Sequence, residues 1–224
     1  MGKLNLAMMF SELAGGMALS MYVFVFTLLF SIPLGMIIAF ARMADGNIFK
    51  KIIQLIAKIY ISIMRGTPLM LQLMVITFGP YYIFRISTSA SYRYVAVIVG
   101  FVLNYAAYFA EIYRSGIEAI PKGQYEAAFI LGYSRPQTFF KIILPQVVKI
   151  ILPSMTNEVI TLVKDTSLAF TISIMEMFTV AKALASSSAS MVPYIFAAIF
   201  YYIFNFIVAF IMEQLEKKVN YNNR

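Results

Sequence analysis

Long apolar runs alternate with short polar, mostly basic segments along this chain of 224 residues. A hydrocarbon core about 30 Å thick takes roughly 20 apolar residues to cross as a helix. Five stretches are long enough, at about 17–41, 53–84, 94–113, 155–175 and 193–212. The pattern predicts an all-α integral membrane protein with five transmembrane helices in a single domain, 1–224. Pro33 and Gly35 lie inside the first run, and Arg65-Gly66-Thr67-Pro68 interrupts the second. Pro68 removes a backbone donor, and carbonyls freed in a membrane are tolerated only where they are buried or face a cavity. These four residues are therefore a candidate hinge or pathway element, with snorkelling of Arg65 to the interface as the plainer alternative. The fifth run opens at Pro193, whose preset φ suits a first helical turn, behind Ser190 as a cap.

Charge gives the runs a direction. Of the eighteen Lys and Arg residues, twelve fall on one side of the spans: Arg42, Lys50, Lys51, Lys58, Arg114, Lys122, Arg135, Lys141, Lys149, Lys217, Lys218 and Arg224. Four fall on the other side: Lys3, Arg85, Arg93 and Lys182. The positive-inside rule puts the twelve in the cytoplasm, the N-terminus outside and the C-terminus inside. The segment 116–154 is then a cytoplasmic loop. Ser186-Ser187-Ser188-Ala189-Ser190 reads as a flexible external turn, a linker or a surface for an external partner.

Composition narrows the chemistry. Only 12% of residues are charged and 61% are hydrophobic, against about 25% charged in soluble proteins. Cys, His and Trp are absent, so disulfides, zinc or haem sites and Ser-His-Asp or Cys-His catalysis are not expected. No Gly-rich Lys-Ser/Thr phosphate loop occurs, so any ATP must be bound by another subunit. No metal or cofactor is expected, and no enzymatic activity. The formal charge of +8 sits beside spans, which suits topology and anionic lipid rather than nucleic acid. Met1–Gly16 lacks a removable signal's basic start and cleavage site, so the first run reads as a retained helix.

Within the cytoplasmic loop, Pro121 and Gly123 break the preceding helix, and 124–131 has the composition of a short new one. Tyr125, Ala128, Phe129 and Gly132 recur at three and four residues and share a face. Small Ala127 and Ala128 permit close approach to another surface, and Gly132 can end the helix in a left-handed conformation. Ser134 and Gln137 form a capping-box pattern for a second short helix, whose run is expected to break at Pro145. The device reads as a docking element, with an amphipathic helix lying on lipid as the alternative.

The spacing Glu126-Ala127-Ala128-x3-Gly132-x9-Ile142-x-Leu144-Pro145 resembles the EAA signature of ABC-importer permeases at every anchored position. Arg65-Gly66-Thr67-Pro68-Leu69, 108–117, Gly123-Gln124 and 162–168 are similar to stretches of the polar amino-acid branch of that family, with Ser115 where Gly is usual and Val163 where Leu is usual. The resemblance implies a five-helix type I importer fold in the bacterial plasma membrane. It implies two permease copies, identical or paralogous, two ATPases, an external solute-binding protein and an amino-acid substrate. It also makes the loop the coupling helix through which ATP hydrolysis elsewhere moves the permease.

Ionisable side chains inside a membrane each cost about 2.5–3.5 kcal/mol on insertion scales, and the fourth run holds Glu158, Lys164 and Asp165. Helical spacing puts Glu158, Thr161 and Asp165 on one face, with Lys164 about 100° away from Asp165. Such a split suits a zwitterion, carboxylates for its ammonium and a lysine for its carboxylate; pairing with neighbouring helices is the structural alternative. Asn104 and Tyr108 in the third run are further lining candidates, while Glu111 and Arg114 read as a boundary ion pair. An amino acid, polar and leaning to cationic, is the expected cargo. A secondary transporter coupling an ion gradient through Asp165 or Glu158 is the competing reading, although no inverted repeat is visible.

Overall fold

The computed structural model describes residues 6–221, all of whose regular elements are helical; Lys3 and Arg224, used in the charge count, lie outside them. Among the described residues, four helices are long and apolar enough to cross a membrane, and a fifth span arises there if a sharply bent pair is taken together.

Helix α1 (Leu6–Arg42) buries a stripe of small residues, among them Gly16, Ser20, Thr27, Ser31, Gly35 and Ala39. Small side chains let helix backbones approach closely where no hydrophobic force drives them together. Its later part meets α4 (Tyr92–Glu118), which buries Phe101, Ala106, Phe109 and Ala110, while Gly16 and Ser20 lie against Met177. At Gly35 the contact is at its limit, because an added Cβ would stand 2.8 Å from Phe109 Cβ and 3.1 Å from Ala106 O. Helix α4 is the hub, packing on α1, α3, α7 and α2.

The expected second span is two helices, α2 (Ile48–Gly66) and α3 (Leu69–Phe84), bent by 109° at Thr67-Pro68. Pro68 cannot donate to Met64 O, and that carbonyl is taken instead by Gln72 Nε2 at 2.9 Å and Asn104 Nδ2 at 3.0 Å. Thr67 Oγ1 donates to Ile63 O at 2.8 Å, and Thr67 O receives a second contact from Gln72 Nε2 at 3.1 Å. Side chains thus take up the Ile63, Met64 and Thr67 carbonyls at the break.

Helix α5 (Lys122–Ile130) leads through α6 (Arg135–Thr138) and a π turn (Phe139–Ile143) into α7 (Leu144–Asp165), which tightens into a 3₁₀ segment, Thr166–Ile172. The expected break at Pro145 does not occur. Leu144 N–H bonds back to Phe139 O across the π turn, and Pro145 occupies the first turn of α7, where its missing donor is harmless. The fourth span therefore starts well before residue 155. Ser186–Ser188 are not a loose turn either: they complete α8 (Met177–Ser188), with Ser187 and Ser188 hydroxyls both bonded to Leu184 O. Back-bonding to i−3 and i−4 carbonyls lets serines finish a helix. The described residues end in α9 (Val192–Tyr221), against α7 and α8.

Candidate functional site

A cavity of about 370 Å³ lies where the α2–α3 break meets α4 and α7. Thr67, Pro68 and Leu69 line it from the break, Asn104, Tyr105 and Tyr108 from α4, and Glu158, Thr161, Asp165 and Leu168 from α7 and its 3₁₀ extension. Asp165 is the last residue of α7, and Tyr105 OH donates to its Oδ2 at 2.7 Å. Tyr105 is 2% exposed and stacks on Phe101, so the hydroxyl that holds Asp165 is fixed by the core. Glu158, half-buried, lies about two helical turns before Asp165 on the same face. The Arg65 guanidinium stands 5.4 Å from the Tyr108 ring centre, a cation–π contact, and its charge reaches both Glu158 and Glu111.

The structure brings together Thr67, Pro68, Asn104, Tyr108, Glu158, Thr161 and Asp165 around one space. Gly66 ends α2 just outside it. Asn104 is already engaged, because its Nδ2 bonds Met64 O and Gln72 Oε1; only its carbonyl oxygen is left for anything else. Lys164 stands apart. It opens onto a second cavity of about 330 Å³ with Ser167, Phe178, Tyr194 and Tyr201. The two ends of a zwitterion are therefore not served by Lys164 and Asp165 within one cavity. Glu111 pairs with Arg114, which also bridges to Glu118, a local network on α4.

At the α5 end the loop chemistry takes definite form. Gly132 adopts φ +77°, and the bonds Tyr133 N–H to Ala128 O and Gly132 N–H to Phe129 O make a Schellman end. Ser134 and Gln137 close the capping box. Glu126 and Ala127 are exposed. Ala128 is 1% exposed and faces its own chain, so its small size serves internal packing and not approach to a partner. The outward surface is instead Phe129, Ile130 and Leu131, at 80%, 83% and 73% exposure. Tyr125, with Phe129, Tyr133, Arg135 and Thr138, borders a recess of about 340 Å³ beside them, and partial burial raises its phenol above the usual range.

Three residues escaped the sequence reading: Tyr105, whose hydroxyl holds Asp165, Gln72 and Glu176. Gln72 clamps the break. Glu176, wholly buried, caps α8 by accepting from Phe178 N–H and Thr179 N–H at 2.7 Å each, from Thr179 Oγ1 at 2.8 Å and from Tyr201 OH at 3.1 Å. A Glu followed three residues later by a Thr, just ahead of a new helix, was the available signal.

Membrane spans gathered on a polar cavity, with an apolar-tipped helix joined to the span that carries its carboxylates, define a membrane transport subunit. Residues 31–221 match the family of binding-protein-dependent transport system inner membrane components, and the chain belongs to that family. It is 37% identical over 207 residues to the L-cystine transport system permease protein TcyL of Bacillus subtilis, covering 91% of this chain and 85% of that one. It is 39% identical over 195 residues to the octopine transport system permease protein OccM of Rhizobium radiobacter, covering 84% and 79%. A crystal structure of an amino acid ABC transporter with histidines superposes with a TM-score of 0.84 at 28% identity, over 97% of this chain and 99% of that one. The fold is that of a type I ABC permease, and the chain is an amino-acid ABC transporter permease, a multi-pass protein of the bacterial plasma membrane.

Proposed function

We propose that this chain is the transmembrane subunit of an ATP-driven importer, passing a polar amino acid through the cavity of Glu158 and Asp165 by alternating access. The observation that carries the reading is continuity: the exposed Phe129–Leu131 surface is linked through α6 and the π turn to α7, whose far end bears both carboxylates. A separate ATPase docks on α5 and binds the ATP, so this chain needs no cofactor. A second copy or close paralogue completes the membrane domain, and an external solute-binding protein delivers cargo. The Lys and Arg distribution puts α5 in the cytoplasm and the N-terminus outside. Two carboxylates, with Tyr105 holding one, favour an ammonium-bearing cargo such as an amino acid.

The decisive experiment is uptake by proteoliposomes that contain the assembled permease, its ATPase and the binding protein. ATP-dependent accumulation without any ion gradient is expected. Uptake that needs an ion gradient and ignores ATP would establish the secondary-transport alternative, for which family membership offers no support.

A further inference from the structure

Helix α2 carries a second polar feature that the cavity does not absorb. Its sequence contains no acidic residue. At 100° per residue, Lys51, Gln54, Lys58, Ser62 and Arg65 fall within an arc of about 80°, a stripe running about 21 Å along the helix. Three members are cations. The helix packs on α1 and α4 through a different face, where Ala57 and Ile61 are buried and Tyr60 OH bonds Leu103 O. Ile52, Ile59 and Ile63, each about half exposed, form a third, apolar face. Lys51, Lys58, Ser62 and Arg65 are exposed and Gln54 is partly so.

Where can such a stripe face? The α2 C-terminus lies at the middle of α4, since Met64 O receives Asn104 Nδ2, so the stripe descends from mid-span. Facing hydrocarbon would cost about 2.5–3.5 kcal/mol for each buried cation. Lys51 and Lys58 have stems long enough to snorkel, but Gln54 and Ser62 do not. The stripe also joins the cavity directly: Arg65 lies over Tyr108, a cavity residue, and Thr67 follows it at the break.

We infer that the stripe Lys51–Gln54–Lys58–Ser62–Arg65 walls a water-filled passage continuing the carboxylate cavity to the Lys51 end of α2, and that its charge selects for carboxylate-bearing cargo. The inference rests on the permease reading and adds a specificity device to it. A cavity with two carboxylates attracts any small cation, and an open path below it would leak. Three fixed positive charges along that path raise the barrier to free cations, while the carboxylate of an amino acid is drawn through. Attraction and rejection thus act in series, carboxylates at mid-membrane and cations below.

The test uses the assembled transporter in membranes. The chain has no cysteine, so an introduced cysteine is the one thiol of this chain, and its labelling is read on the separated permease subunit. Gln54→Cys and Ser62→Cys sit on the stripe, and Ile59→Cys and Ile63→Cys sit beside them on the apolar face. Membrane-impermeant methanethiosulfonates, one anionic and one cationic, are applied from the Lys51 side, each rate normalised to a free thiol. Stripe positions should react about tenfold faster or more, because charged reagents meet the cost of entering hydrocarbon at the other two. At Ser62→Cys the anionic reagent should be preferred, and adding Lys58→Gln should cut that preference about sevenfold, taking a unit charge ~7 Å away in water. Equal labelling on both faces, or a Ser62→Cys disulfide between two copies in place of labelling, would overturn the passage. An unchanged anion preference in Lys58→Gln would overturn the charge selection. Labelling needs neither cargo nor ATP, so its failure is distinct from a failure of ATP-driven uptake.

Discussion

Removing the carboxylate of Glu176 should destabilise the domain more than any other single truncation of a polar side chain. Four donors converge on it, two backbone N–H groups at 2.7 Å, the Thr179 hydroxyl at 2.8 Å and the Tyr201 hydroxyl at 3.1 Å, and the side chain is 0% exposed. Hydrogen bonds to charged groups contribute about 1.5–3 kcal/mol in soluble proteins, but inter-helix bonds in membranes average only about 0.6 kcal/mol. Glu176→Ala loses all four bonds and strands the N-terminal donors of α8, a loss of about 2–6 kcal/mol at roughly 0.6–1.5 kcal/mol a bond. At about 2–4 °C per kcal/mol for a chain of this size, that is a fall of about 4–24 °C in melting temperature. Glu176→Gln retains one acceptor oxygen and should lose roughly half as much. Tyr201→Phe removes a single long bond and should shift melting by about 1–3 °C. The assay is thermal unfolding of the detergent-purified complex, followed by monodispersity on size exclusion. Glu176→Ala melting within about 1 °C of the parent would show that α8 is held by apolar packing alone and refute the reasoning.

Gly35→Val should separate α1 from α4, because the new side chain starts 2.8 Å from Phe109 Cβ; overpacking of this kind costs about 1–3 kcal/mol and is read as lost yield of folded protein, whereas Gly15→Ala, with nothing within 4 Å, should be tolerated. Gly132→Asp must hold a side chain at φ +77°, so membrane insertion should be normal and ATP-driven uptake lost; normal uptake would remove the docking role of α5. Asp165→Asn should weaken cargo affinity more than assembly, and unchanged affinity in intact transporter would make the Tyr105–Asp165 bond purely structural. Phe129→Ser with Leu131→Ser should release the ATPase on co-purification while leaving the melting temperature unchanged, since both side chains lie in the open.

What the sequence disclosed was local. Pro68 announces a break, Gly132 a left-handed helix end and Ser134 with Gln137 a capping box, because each acts through its own or the next few backbone groups. The facing of Glu158, Thr161 and Asp165 followed from helical period alone. The rest depended on contacts distant along the chain. Ala128 was legible as small but not as inward-facing, because what covers α5 is the chain folding back after it through α6 and the π turn. Pro145 looked like a stop until the π turn supplied a register in which it begins a helix. Asn104 looked available until Met64 O and Gln72, some forty and thirty residues away, claimed its amide. Lys164 and Asp165 are adjacent in sequence, yet α7 turns them toward different cavities.

The way the α2–α3 break is closed bears on how such a site can change its cargo over evolutionary time. Met64 O and Thr67 O, two carbonyls at the bend, are held by Gln72 and Asn104 rather than offered to the cavity. A passing solute is then read by side chains, Tyr108, Glu158, Thr161 and Asp165 among them, and those can be replaced one at a time without reopening the backbone. Recognition and scaffold are held by different atoms, so one architecture can be retuned to many solutes by point substitution.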